Sequence, residues 1–142
     1  MRKLLVLLLI TMLLTRPILV DAKEPELKKV RMTCYTHTGN PCRNGKMPRE
    51  GICAYQYEYL NWMAIVYADN NGKPGEIIGY FEIFDTGYGI ETDMQNPKTG
   101  KNYGTLEIGT SIDIFRDSLE GCYEFIEQYG DTAFIQLVYA EG

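Results

Sequence analysis

Gly79-Tyr80-Phe81-Glu82-Ile83-Phe84-Asp85-Thr86-Gly87 is a mostly apolar and aromatic run that ends in an acid, a hydroxyl and a glycine. As a strand it alternates, with Tyr80, Glu82 and Phe84 on one side and Phe81, Ile83 and Asp85 on the other. Asp85 closes the strand, and Thr86-Gly87 starts a turn. Two readings of Asp85 stand. It opens an Asx-turn, or it is a carboxylate at the lip of an apolar strand, beside a glycine that lets a ligand come close.

The segments on either side place this strand in a mainly β fold. Met63–Ala68 is an apolar strand with β-branched residues at its centre. Asp69-Asn70-Asn71-Gly72-Lys73-Pro74-Gly75 is a turn cluster that joins it to the strand Ile77–Phe84. Further back, Ile52–Tyr55 reads as a short strand and Val30–Thr36 as another, with Val30, Met32 and Cys34 on one face. Between those two, residues 37–51 hold three glycines and two prolines, the composition of a long loop. On the C-terminal side, residues 86–109 carry five glycines and one proline and read as an exposed excursion. Ile112-Asp113-Ile114-Phe115 is the next strand and sets a second acid into an apolar run.

Asp117-Ser118-Leu119-Glu120 opens the one convincing helix. Asp117 is the expected cap, and Glu120 completes a capping box. Leu119, Cys122, Tyr123 and Ile126 fall on one helical face, and Gly130 is a suitable stop. Ala133–Tyr139 is apolar on both faces and reads as a central strand. Six short strands with turn clusters and one late helix indicate a barrel or sandwich. Tyr55-Gln56-Tyr57-Glu58-Tyr59 places three rings on one face if it is a strand. That face is either half-buried core or a platform on which sugar rings stack.

Met1-Arg2-Lys3 followed by the apolar run Leu4–Leu14 has the form of a secretory signal peptide. Arg16 and Pro17 make the run too short and too broken for a membrane span. Val20-Asp21-Ala22 supplies small residues for cleavage after Ala22, with an uncleaved N-terminal anchor as the alternative. Cleavage leaves 120 of the 142 residues, enough for one domain. The expected organisation is therefore 1–22 signal peptide, 23–29 solvated lead-in and 30–142 folded domain. The removed segment holds Arg2, Lys3, Arg16 and Asp21, so the formal charge of −5 becomes −7. That balance opposes nucleic acid and anionic lipid as partners. It suits an exported protein, secreted or cell-wall associated and without stable membrane insertion, acting on a neutral or amphoteric substrate.

Cys34, Cys42, Cys53 and Cys122 are an even set in an exported chain and point to disulfides. Three pairings are possible. The spacing favours one local bridge and one that ties the N-terminal region to the late helix. Metal binding is disfavoured, because no Cys-x-x-Cys pair is present and His37 is the single histidine. A Cys34–His37 nucleophilic pair is also disfavoured, since a spacing of three along a strand puts the two on opposite sides.

In order along the chain, Gly51-Ile52-Cys53-Ala54, Leu60–Tyr67, Gly79–Gly87, Gly109-Thr110-Ser111-Ile112-Asp113-Ile114-Phe115, the helix and Ala133–Val138 together resemble the three-aspartate (3D) domain family. The likeness covers about residues 30–140. It implies a six-stranded double-psi β-barrel with one helix before the last strand. Such a barrel is similar to the catalytic barrel of membrane-bound lytic transglycosylase A and, more distantly, to rare lipoprotein A and expansins. Asp85 matches the family's Asp-Thr-Gly aspartate and Asp113 that of its Ile-Asp-Leu-type motif. The third family aspartate falls near Tyr55-Gln56, where this chain has none and Glu58 lies close by. The connection across residues 88–109 is also longer than in the family.

The resemblance implies cleavage of the peptidoglycan bond between N-acetylmuramic acid and N-acetylglucosamine without water or cofactor. One carboxyl protonates the glycosidic oxygen. The sugar's own C6 hydroxyl attacks C1 as the same group, now a carboxylate, takes its proton. Such an acid must stay protonated near neutral pH, which apolar surroundings favour. Asp113 is the expected acid/base, Asp85 its partner, and Thr86, Gly87, Tyr55, Tyr57 and Glu58 the expected substrate contacts of a monomeric enzyme. The other class of function is a non-catalytic cell-wall carbohydrate-binding barrel, expansin-like or degenerate.

Overall fold

The computed structural model describes residues 25–139, so the expected signal peptide at 1–22 lies outside the described residues. Eight strands and one α-helix follow in the order β1 (Lys28–Tyr35), β2 (Ile52–Ala54), β3 (Met63–Asn70), β4 (Lys73–Asp85), β5 (Glu91–Gln95), β6 (Asn102–Gly104), β7 (Ser111–Phe115), α1 (Leu119–Tyr129) and β8 (Thr132–Val138). Six of these strands close a barrel in the order β1-β7-β2-β4-β3-β8, with β8 paired back to β1. The expected mainly β six-stranded barrel, with one helix before its last strand, is the observed architecture. β1–β7 and β2–β4 are parallel and the other barrel pairs antiparallel.

Alternation along the strands sends side chains to two apolar clusters. Val30, Met32, Cys53, Val66, Ile83, Ile114 and Ile135 meet in the larger one, which Phe125 of α1 joins. Ile52, Phe84 and Phe115 are each one residue away from a member of that cluster, so they leave the opposite face. They form a second cluster with Cys42 and Tyr35. β2 is buried throughout for this reason. Loop 36–51 covers the outer face, and its Lys46 and Arg49 lie over the Phe84 ring at 5.3 and 5.0 Å.

Several local expectations need correction. β1 starts at Lys28, inside the expected lead-in, because Lys28 and Lys29 pair with β8. The hairpin turn is only Asn71-Gly72, both at positive φ (53° and 86°), so the ladder continues through Asp69, Asn70, Lys73 and Pro74. Residues 86–109 contain the small β5–β6 hairpin. The helix cap is Ser118, whose hydroxyl accepts from Gly121 N at 3.0 Å. Asp117 instead takes the His37 ring at 3.3 Å, and its N–H donates to Glu50. Cys122 and Phe125 are the buried residues of the helix, whereas Leu119 and Tyr123, expected on the face of Cys122, are exposed. Gly130 stops the helix at φ 79°, as its position suggests.

Cys34 and Cys122 form a disulfide, the expected tie between the N-terminal strand and the helix, with Cα atoms 5.5 Å apart. The expected local bridge is not formed. Cys42 and Cys53 are buried free thiols, and they belong to the two different clusters. The bridge also occupies the sulfur that a Cys34–His37 pair would need.

Candidate functional site

Three adjacent strands bring the two acids together. Ala54 of β2 pairs with Asp113 of β7 on one side. On the other side a register shift after Cys53 puts Asp85, rather than Phe84, opposite Ala54. Residues opposite one another across a ladder share a face. The two carboxylates therefore flank Ala54, about two strand spacings apart, roughly 10 Å between backbones. Because of the shift, Asp85 does not follow Phe81 and Ile83 into the larger cluster. Its carboxylate turns instead to loop 36–51.

The two acids are held differently. Asp85 Oδ1 accepts from Thr86 N at 2.9 Å and from Arg43 N at 3.0 Å, which fastens the loop to the strand end. The turn reading of Asp85 is thus realised alongside its place in the pair. Asp113 accepts from the Thr33 hydroxyl at 2.9 Å, across the parallel β1–β7 ladder. Its carboxyl is raised to about 6: burial raises it most, the Thr33 bond pulls it down, and nearby Asp85 adds a smaller upward push. Asp113 is only part-buried, so a proton can still be exchanged there.

Four of the five expected contact residues, Tyr57, Glu58, Thr86 and Gly87, line one cleft of about 570 Å³ together with Arg43, Gln56, Tyr88 and Glu107. Arg43 stacks its guanidinium 5.4 Å from the Tyr57 ring centre. The fifth, Tyr55, does not line it. The run 55–59 is not a strand: Tyr57–Tyr59 is a 3-10 turn closed by Tyr59 N to Gln56 O and Leu60 N to Tyr57 O. The rings therefore diverge. Tyr55 is buried, with its hydroxyl on Gly109 O at 2.7 Å, while Tyr57 is exposed. An added Cβ at Gly109, which has φ 73°, lies 2.7 Å from that hydroxyl, so the glycine allows the contact.

Neither Asp85 nor Asp113 lines the cleft. Asp85 adjoins it through Thr86, and Asp113 lies beyond Ala54. Glu82 pairs with Arg49 at 2.8 Å at the surface. Among the described residues no three His, Cys, Asp or Glu side chains are grouped to hold a metal ion, and no helix is long and apolar enough to cross a membrane.

Thr33, bonded to Asp113, and Tyr35, packed on Phe115 two residues further along β7, escape a reading of the sequence. Both depend on β1 lying parallel to β7, a pairing between residues about 80 positions apart that leaves no local signal. No family model, curated protein or solved structure matches the chain.

Proposed function

We propose that this barrel is an exported peptidoglycan-active enzyme that cleaves the glycan strand by the lytic transglycosylase route. Asp113 protonates the glycosidic oxygen, then takes the C6 hydroxyl proton as that oxygen attacks C1. The 1,6-anhydro ring forms as the C1–O bond to the departing sugar breaks, and no water enters the balance. Burial, with a smaller contribution from nearby Asp85, keeps a protonated fraction of Asp113 available toward neutral pH. The observation that carries this reading is a part-exposed carboxyl raised to about 6, beside a second carboxylate on the same face of the barrel. A disulfide between Cys34 and Cys122 supports an oxidising, exported setting. The enzyme acts as a monomer and holds substrate in the cleft of Tyr57, Glu58, Thr86 and Gly87.

A specific observation favours the second reading, a non-catalytic carbohydrate-binding barrel: Asp85 already binds two backbone amides, and neither acid lines the cleft. Incubation of the protein with purified peptidoglycan, with products read by mass spectrometry, separates the two. Cleavage gives 1,6-anhydro ends, and Asp113→Asn lowers their rate by about 100-fold or more. Retention on peptidoglycan without product establishes the binding module instead.

A further inference from the structure

Tyr35 ends β1 two residues after Thr33, so both side chains leave the same face of the strand. The Thr33 hydroxyl is spent on Asp113. The Tyr35 ring packs edge-on against Phe115, with centroids 5.4 Å apart, inside the outer cluster. Its hydroxyl is buried and has no hydrogen-bond partner among the described residues. A phenylalanine there keeps the packing and avoids the cost of an unpaired buried hydroxyl, which is comparable to a lost hydrogen bond. The hydroxyl therefore calls for a partner that the resting arrangement does not give it.

The acid pair has the complementary shortage. Asp113 has one donor, Thr33, and Asp85 uses Oδ1 for both of its amide contacts. Among the described residues no donor reaches Asp85 Oδ2. When Asp113 gives up its proton, carboxylates stand on both sides of Ala54, and Asp113 has only the Thr33 hydroxyl as donor among the described residues. Burial, then Asp85, Cys42, Asp113 and Cys53, all oppose a phenolate at Tyr35, so its O–H stays a donor throughout.

We propose that Tyr35 is the positioning residue of the acid pair, its hydroxyl donating to the carboxylates once Asp113 is ionised. No proton leaves Tyr35; the electron pair left on Asp113 after the glycosidic oxygen takes the proton is what the O–H stabilises. The catalytic consequence rests on the acid/base role given to Asp113 above, whereas the coupling of the phenol to the pair does not. The other charged or titratable groups around the site are accounted for. Arg49 is paired with Glu82 and Arg116 with Glu50, and His37 is paired with Asp117. Lys46 lies over Phe84, and Arg43 offers its backbone N–H to the pair while its guanidinium lies over Tyr57. The Cys42 thiol is pushed up by burial and then by Asp85, and Cys53 by burial and then by Asp113.

The test is Tyr35→Phe in the full chain, which removes the hydroxyl and keeps the ring. The side-chain carboxyl resonances of Asp85 and Asp113 are followed by NMR against pH in both proteins. Losing a donor to the ionised form raises the Asp113 midpoint by about 0.5–1 unit. A phenol with only a packing role shifts thermal stability and leaves that midpoint where it was. An unchanged midpoint in the folded variant overturns the proposal. The titration uses no substrate, so a shifted midpoint together with absent 1,6-anhydro product defeats the glycan-cleavage reading and leaves the positioning role standing. Where product forms, kcat falls in Tyr35→Phe and KM is unchanged.

Discussion

Asp85 and Asp113 are both paired with Ala54, one strand to either side, yet the fold gives them opposite settings. Asp85 ends its strand, meets a loop and accepts two backbone N–H groups, which suit a carboxylate. Asp113 stands in the middle of β7 with one hydroxyl donor, and burial raises its carboxyl to about 6. One acid is supplied with donors and the other is starved of them. That difference, rather than the residue type, separates a carboxyl held by backbone amides from one whose ionisation burial opposes.

The largest break in this contrast comes from the disulfide. Cys34 lies between Thr33 and Tyr35 and is tied to α1 at a sequence separation of 88. Replacing both half-cystines, Cys34→Ala with Cys122→Ala, releases that closure in the unfolded chain, an effect of about 4 kcal/mol. Urea unfolding measures it. The same variant loosens β1 beside β7 and leaves the Asp85 amide contacts in place. Water admitted beside β7 relieves the burial of Asp113, a larger cause than the Thr33 bond lost with it, so its titration moves downward while loop 36–51 stays protected from hydrogen exchange. Equal loss of protection at Arg43 and Thr86 would mean that the two acids are not independently supported.

The next effect is the cost of ionising Asp113. Its folded value of about 6 lies above the ordinary 3.8. A carboxyl raised in this way favours the folded state most at low pH, and that advantage is lost as pH rises from about 4 through 6. The full difference is about 2–3 kcal/mol. Asp113→Asn cannot ionise and keeps an oxygen for the Thr33 hydroxyl. It is expected to match the wild type near pH 4 and to exceed it by about 2 kcal/mol at pH 8. Thermal unfolding at the two pH values decides this, and a pH-independent difference would remove the claim that burial charges Asp113 for its ionisation. A variant that is more stable and less active also fits a carboxyl retained for chemistry rather than for folding.

The six barrel strands, the β3–β4 hairpin, the late helix and its glycine stop were legible because each is written in local periodicity and turn chemistry, whereas β5 and β6 were not. Asp113 stood out as an acid inside an apolar run, and Asp85 as an acid before Thr-Gly. The register shift at Cys53 was not legible, and it alone decides which way Asp85 faces. Tyr55, Tyr57 and Tyr59 alternate like a strand but turn as a 3-10 segment, because the chain reverses at Asn61, with φ 70°, before β3. Thr33 and Tyr35 carried no signal, since their place beside Asp113 and Phe115 comes from parallel pairing with a strand far along the chain. Ser118 against Asp117 as the cap is a one-residue choice between equally good cap formers, settled by the demand of Glu50 and His37 on Asp117.

The smallest expected effect separates the two duties of Asp85. Asp85→Asn keeps an oxygen for the Arg43 and Thr86 amides and removes the charge. Asp85→Ala removes both. The Arg43 amide is exposed and recovers water when its acceptor is lost, whereas that of Thr86 is part-buried. Asp85→Ala therefore loses about 1–2 kcal/mol in urea unfolding and Asp85→Asn less than about 0.5. Both variants lower the Asp113 midpoint, because Asp85 contributes to raising it, and they lower it by less than burial raises it, since burial is the larger cause. The two measurements need not move together. An Asp85→Asn variant with normal stability and an unmoved Asp113 midpoint would make Asp85 a loop anchor only and leave Asp113 acting alone.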